Sequence, residues 1–390
     1  METAVNQLLC GLTSEIFLAD YWQKKPLLIR NAIADFKSPI DPDELAGLAC
    51  EDEVESRLIL ERDGPHPWAL EHGPFAEERF TELLESHWTL LVQECNKYVP
   101  ELADLMDRFD FIPSWRVDDV MVSYAPDQGT VGPHTDQYDV FLLQGLGKRR
   151  WQISAAPVDE KNRLPDLDLN IMRDFQATEE WILEPGDMLY LPPGLAHHGV
   201  AMGDCMTLSI GFRAPAHADI LTGFTDSVAS KLGDSLRYSD PDLSLQQHSG
   251  EISSESLLKV REIIRSTTSD NNSAIDSWFG RFVTESKSGE LAIEPEQTLT
   301  PEQFLSLFQE HTMLERSDVS RFAFITEDDA NILFIDGREY PLTNELSFAA
   351  PLLCDQRQHI YANLTDKLAQ SDFTSLLTEL YNSGYVIFNN

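Results

Sequence analysis

The segment Val131–Trp151, V-G-P-H-T-D-Q-Y-D-V-F-L-L-Q-G-L-G-K-R-R-W, restricts the fold of this chain more than any other stretch. A Gly-Pro turn leads into His134 and Asp136. Side chains two residues apart on an extended strand leave the same face, so the imidazole and the carboxylate share one space. Phe141, Leu142 and Leu143 continue as an apolar strand, Gly145 and Gly147 turn the chain, and Arg149 follows. A second stretch, Glu184–Val200, repeats the plan: a Pro-Gly-Asp turn, a short apolar strand, a Pro-Pro-Gly turn and the pair His197-His198. His-x-Asp with a distant histidine is the 2-His-1-carboxylate ligand set of non-haem iron(II), which leaves three coordination positions open. A lone H-x-D is more simply read as turn-capping; two turn-strand motifs that fit one site favour a metal held by His134, Asp136 and His197. Strand alternation sends the competitor His198 to the opposite face.

The surrounding pattern gives these motifs a barrel. Val120–Tyr124, Val140–Gln144, Trp151–Ser154, Met188–Leu191 and Met206–Phe212 are short β-branched or aromatic runs divided by Gly and Pro, the signature of antiparallel barrels and sandwiches. The lead-in is mixed. A short helix over Leu12–Tyr21 capped by Thr13 or Ser14, a strand after Pro26 and a helix opened by Asp41-Pro42 are expected, then a helix from about Phe75 to Tyr98 and another over Leu102–Phe109. After Arg213-Ala-Pro the period becomes helical over Ala216–Leu232, Ser254–Ser266 and Ile275–Glu285. These apolar helices either cover one another or form the seam of a homodimer. Beyond the polar, Pro-bounded linker Glu294–Pro301 come a helix over Pro301–Gln309, strands at Phe322–Ile325 and Ile332–Ile335, an Asp336-Gly337 hairpin, helices from Leu346 and Phe373, and a strand at Tyr385–Phe388.

On these residues the chain resembles the JmjC-type 2-oxoglutarate oxygenases, and within them the bacterial ribosomal oxygenase group. The resemblance is carried by Gly186-x5-Pro192-x4-His197, by His134-x-Asp136, by Arg149 fifteen residues after His134, by the lead-in Phe17–Arg30 and by Ser209-I-G-F-R-A-Pro215, and it runs over essentially the whole chain. It implies an α+β fold: a double-stranded β-helix (cupin, jelly-roll) barrel with outer helices over residues 1–215, a helical dimerisation region over 216–290, and a winged-helix-like module over 291–390. It also implies iron(II), 2-oxoglutarate as co-substrate, O2, and hydroxylation of an arginine in a large-subunit ribosomal protein. The spacing Pro192-x4-His selects His197 over His198.

Arg149 is the residue the resemblance assigns to the distal carboxylate of 2-oxoglutarate, which a planar two-pronged guanidinium suits. Alternation turns one side chain of Lys148-Arg149-Arg150 inward, and the other two read as a basic surface. Ser123 is a candidate hydroxyl partner for the co-substrate, or a structural strand serine. Thr207 and Ser209 are inward-facing candidates without an assigned role. Asp127 is a candidate to bind a substrate guanidinium, against the plainer reading of a turn aspartate after proline. Tyr138 either flanks the pocket or is a half-buried strand tyrosine.

Composition narrows the partners. Lys and Arg number 29 against 66 Asp and Glu, a net charge of −37 and a pI near 4.4. Such a surface repels nucleic acid and anionic membranes, and suits solubility as well as a basic ribosomal protein. That disfavours a rival in which the tail binds DNA and the barrel senses a ligand, because residues 290–390 hold no Lys/Arg-rich helix. The other rival is a demethylase or small-molecule hydroxylase on the same scaffold. Five scattered cysteines (Cys10, Cys50, Cys95, Cys205, Cys354) with no C-x-x-C pair point to a reducing cytoplasm. No basic-then-apolar leader and no run of membrane length is present, so a cytoplasmic protein without a membrane partner is expected.

Overall fold

The computed structural model describes residues 8–9, 11–62, 67–156, 161–165, 169–233, 235–248, 250–268, 272–286, 292–327 and 330–388, which leaves Cys10 outside the described residues. The chain divides into two units, Met1–Ala214 and Pro215–Asn390.

In the first unit, among the described residues, nine antiparallel strands join in one sheet. They are β1 (Leu27–Ile29), β2 (Ser56–Glu61), β3 (Trp68–His72), β4 (Trp88–Val92), β5 (Val117–Ala125), β6 (Asp139–Ser154), β7 (Glu179–Leu183), β8 (Met188–Leu191) and β9 (Ala196–Phe212). The order is β1-β8-β6-β9-β5-β4-β2-β3, with β7 pairing β6. β6 and β9 pair along almost their whole length, from Asp139↔Phe212 to Ser154↔Ala196. The sequence expectation of two strands separated by a glycine turn is thus corrected: Gly145 and Gly147 lie within one strand and bend it. The register shifts there, between Gln144 and Leu146 and again between Leu146 and Lys148. Gly147 adopts φ +59°, and a Cβ on it would stand 1.9 Å from the Asp204 carbonyl oxygen, so only glycine lets the two strands stay paired through the bend.

The outer face of this sheet carries the larger core. Phe141, Leu143, Val120, Val122, Leu208, Ile210 and Phe212 pack there with Phe17, Leu45, Leu102 and Phe109 from the lead-in. The inner face carries a smaller cluster, Val140, Leu142, Trp151, Ile153, Leu183, Leu189 and Leu191, which draws on both halves of β6 and so closes the barrel. The lead-in helices form where their caps predict: α1 (Ser14–Asp20) with Thr13 as N-cap, and α2 (Pro42–Leu48) with Asp41 and Glu44 in a capping box. The helix expected over Phe75–Tyr98 is not there. α3 (Glu77–Thr81) is five residues long and β4 follows, because Leu90, Leu91 and Val92 pair with β2 and β5. Sheet pairing overrides a local 3.6-residue spacing that also fits a half-buried strand. α4 (Pro100–Met106) completes the lead-in.

The second unit opens with α5 (His217–Ala229), α6 (Ser254–Thr268) and α7 (Asn272–Thr284). Phe224 of α5 meets Trp278 of α7 edge to face, 5.5 Å between centroids. α7 also packs on the hairpin sheet: Arg281 and Ser277 bond Glu339, and the Thr284 hydroxyl accepts from the Gly337 N–H at 3.1 Å. On α6, Leu257 and Leu258 are 41% and 56% exposed. The remainder holds α8 (Pro301–His311), β10 (Met313–Arg316), β11 (Phe322–Glu327), β12 (Ala330–Ile335), β13 (Arg338–Pro341), α9 (Ala349–Asp355), β14 (Gln358–Ile360), α10 (Tyr361–Leu368), α11 (Ser371–Asn382) and β15 (Val386–Ile387). Two three-stranded sheets, β14-β10-β15 and β11-β12-β13, enclose a core of Phe304, Phe308, Leu314, Leu333, Phe373 and Leu377. No helix of the described residues is long and apolar enough to cross a membrane.

His359 on β14 is 2% exposed and neither ring nitrogen has a partner. Burial and then the Arg316 charge lower its pKa to about 4, so the folded state keeps the ring neutral. The unfolded chain takes up a proton as pH falls below about 6.5 and the folded chain does not, so stability is lost as pH drops from about 6.5 towards 4. His359→Leu should remove that loss: amide exchange of β10 and β14 should be slower than in the parent, by a margin that grows from pH 7.5 to pH 5.

Candidate metal and anion site

The site is assembled by backbone first. His134 and His197 form an isolated antiparallel bridge, N to O at 3.0 and 2.9 Å, and the Gly194 N–H donates to the Asp136 carbonyl at 2.7 Å. The two turn motifs are therefore stitched together before any side chain acts. Gly132, at φ +77°, makes the turn into His134; its N–H donates to the Thr130 hydroxyl at 3.0 Å, and Ile171 fills the space a Cβ would need.

The side chains then converge. His134 Nε2 lies 3.8 Å and His197 Nε2 3.5 Å from Asp136 Oδ2, and one donor atom from each of the three residues falls within 4.8 Å of the others. His134 Nδ1 faces the Gly132 carbonyl at 2.9 Å and His197 Nδ1 the Leu195 carbonyl at 3.0 Å. A carbonyl only accepts, so in the neutral ring each Nδ1 carries the proton and each Nε2 presents a bare lone pair to the shared space. Burial of His197, then the neighbouring His134 ring, lowers its pKa and favours that neutral form. Two imidazole nitrogens with fixed tautomers and one carboxylate are a donor set that fits a divalent transition metal. His198 turns away, edge to face with Phe175 at 5.8 Å.

Beside this cluster lies a buried cation. Arg149 is 3% exposed, and among the described residues no carboxylate pairs with it. Its NH1 donates to Ser123 Oγ at 3.2 Å and Thr207 Oγ1 at 3.3 Å, and its Nε has no partner. Burial lowers its pKa, yet a guanidinium stays protonated, so the charge lacks only an anion. Trp151 links the two groups: its ring lies 6.0 Å from that of His197 and 5.3 Å from the Arg149 guanidinium carbon. The Trp151 indole N–H is also buried without a partner. A metal donor set and an uncompensated guanidinium on either side of one indole fit a small acid that chelates at one end and carries a carboxylate at the other.

Lys148 is exposed and paired with Glu184, and Arg150 is half-buried. Asp127 is not part of the cluster: its carboxylate is exposed and accepts from the Gly203 N–H at 2.8 Å, which closes the β9 bend. Tyr138 is 43% exposed, and the protein around it, then the Asp136 charge, raise its phenol pKa. Ser209 sits in register between Met121 and Leu142. Sequence reasoning left Thr207 without a role, read Trp151 as a core tryptophan, which it also is, and overlooked Gln144. Their signal was weak: a polar residue on an apolar strand becomes informative only once its cross-strand neighbours are known.

An antiparallel barrel with a 2-His-1-carboxylate donor set and a buried anion subsite defines the class of non-haem metal oxygenases. Comparison with known proteins agrees. The JmjC domain family matches residues 104–220, and the ROXA-like winged helix matches 267–386. The chain is 37% identical over 373 residues, covering 95% of it and 96% of the relative, to the ribosomal protein uL16 3-hydroxylase of Escherichia coli strain K12. The X-ray structure of Escherichia coli YcfD superposes with a TM-score of 0.84 at 34% identity, over 97% of this chain and 98% of that one. The structure of that ribosomal oxygenase with cobalt and 2-oxoglutarate superposes with a TM-score of 0.82, over 97% and 99%. This chain belongs to the JmjC-domain ribosomal oxygenase family. It has the JmjC cupin fold followed by a winged-helix domain.

Gly132→Ala tests how tightly the turn sets the first histidine. A Cβ there would stand 3.0–3.1 Å from three Ile171 carbons in a left-handed backbone that costs an L-residue about 1–2 kcal/mol. The variant should melt several degrees lower and bind cobalt(II) more weakly in a spectroscopic titration.

Proposed function

We propose that this protein is an iron(II)- and 2-oxoglutarate-dependent hydroxylase that modifies an arginine side chain of a ribosomal protein, the counterpart of uL16. The observation that carries the reading is the buried Arg149 guanidinium, without a carboxylate partner among the described residues, next to a histidine–histidine–carboxylate donor set. His134, Asp136 and His197 hold the metal through Nε2, Oδ and Nε2. Arg149 binds the distal carboxylate of 2-oxoglutarate, and Ser123 supports it. Iron(II) with 2-oxoglutarate and O2 supplies oxidising chemistry that converts a C–H bond to C–OH while the co-substrate leaves as succinate and CO2.

The chain's own residues do the positioning. Gly132 and Leu195 carbonyls hold the ring protons on Nδ1, the Gly194 N–H holds Asp136, and the apolar inner wall keeps water from the guanidinium so that its charge acts at full strength. Tyr138 and the acidic surface receive a basic peptide. The acidic charge of −37 speeds encounter with such a partner. Residues 1–215 form the catalytic domain and 291–390 the winged-helix module. The helical segment 216–290 supplies the seam of a homodimer, a reading supported by Leu221, Leu257 and Leu258 on its exposed faces. Such an enzyme works in the cytoplasm, where ribosomes assemble.

The test is incubation of the purified protein with iron(II), 2-oxoglutarate and an arginine-containing peptide from the organism's own uL16. A gain of 16 mass units on arginine is expected; loss of a methyl group from a methylated peptide would instead mark a demethylase. Asp136→Ala should lower peptide hydroxylation at least a hundredfold and weaken cobalt(II) binding, with the fold retained by circular dichroism.

A further inference from the structure

Ser123 on β5, Thr207 on β9 and Gln144 on β6 stand in register on three adjacent strands, as Ser123↔Thr207 and Gln144↔Thr207. All three are buried, a polar rung beside Val140, Leu142 and Ala125. The protons of this rung can be followed one by one. Gln144 Nε2 donates to the Leu146 carbonyl at 2.8 Å, which leaves Oε1 to accept from the Thr207 hydroxyl at 3.3 Å. The Ser123 hydroxyl donates to the Thr207 carbonyl at 3.4 Å. Each hydroxyl has one proton, and each proton is committed, so both oxygens offer only lone pairs to Arg149 NH1.

Gln144 itself is clamped. Its backbone N–H donates to the Asp187 carbonyl at 2.9 Å, and its carbonyl accepts from the Gly186 N–H at 3.0 Å. The Pro-Gly-Asp turn of the second motif therefore fixes Gln144, Gln144 fixes the direction of the Thr207 hydroxyl, and Thr207 with Ser123 fixes the guanidinium. Every acceptor in this chain is neutral. An acid at the same place would hold Arg149 as firmly and cancel its charge.

We infer that Thr207 and Gln144 are positioning residues for the co-substrate anchor: neutral acceptors that orient Arg149 while leaving its positive charge for the distal carboxylate of 2-oxoglutarate. The inference rests on the anchor role given to Arg149 above. In the full-length protein loaded with zinc(II), which supports no turnover, 2-oxoglutarate affinity is measured by calorimetry and metal affinity separately. Thr207→Val and Gln144→Leu should each weaken 2-oxoglutarate about 5- to 30-fold, the size of one or two buried hydrogen bonds, with zinc(II) affinity unchanged. With iron(II), KM for 2-oxoglutarate should rise by the same factor while kcat stays within about twofold. Thr207→Ser, which keeps the hydroxyl, should bind nearly as the parent does. If Arg149→Met abolishes binding while Thr207→Val and Gln144→Leu bind normally, the positioning chain is wrong and the anchor stands. If Arg149→Met binds normally, the anchor reading falls and this inference with it. A loss in Thr207→Ser equal to that in Thr207→Val also overturns it, because packing and not the hydroxyl would then be responsible.

Discussion

The pairing of β6 with β9 is the constraint on which the site depends. Two strands matched from Asp139↔Phe212 to Ser154↔Ala196 have their ends defined by that match; His134 and Asp136 lie just ahead of one end, and His197 is paired within the other. His197 pairs Ile153 near that second end of the ladder, and a separate backbone bridge brings His134 to His197. The inner face of the same two strands carries Gln144, Arg149, Trp151 and Thr207. The β6–β9 ladder places His197 and the anion subsite, and the bridge to His197 with the Gly194 N–H brings His134 and Asp136 to them.

Charge is managed in opposite ways in the two halves of the pocket. At the metal end two imidazoles and a single carboxylate face one space, with each Nδ1 turned to a backbone carbonyl. At the other end a cation is buried against hydroxyls and an indole, and its pKa is lowered by loss of water. A buried unpaired charge is costly to the fold. Its presence here fits a site whose missing partner arrives with the ligand.

Legibility from the sequence varied with the range of the interactions involved. Caps at Thr13 and Asp41 are local, and the helices they open are where the sequence places them. Phe75–Tyr98 misled because the same apolar spacing serves a five-residue helix and a strand, and only the partners β2 and β5 decide between them. The bend in β6 misled in a different way. Gly145 and Gly147 read as a turn between two strands, yet they keep one strand paired through a bulge that inserts an extra residue. Before it the inward residues are the even ones, Val140, Leu142 and Gln144; after it they are the odd ones, Arg149, Trp151 and Ile153. An uninterrupted strand would have turned Gln144 and Arg149 to opposite faces.

The sequence by itself determined the donor set and the class of chemistry. His134 and Asp136 are two residues apart, and the turn-strand-turn before His197 repeats the first motif, so their convergence follows from strand periodicity. Alternation divided Lys148, Arg149 and Arg150 between the two faces, and the family resemblance singled out Arg149 as the inward one. Only the tertiary structure decided that Arg149 has no acid paired with it among the described residues, that Asp127 bonds to Gly203 instead, and that Thr207 and Gln144 stand behind the guanidinium. The reason is physical: periodicity fixes which side of a strand a residue leaves from, whereas a hydrogen-bond partner on another strand is set by register, and register here is shifted by a bulge whose effect is visible only when both strands are in place.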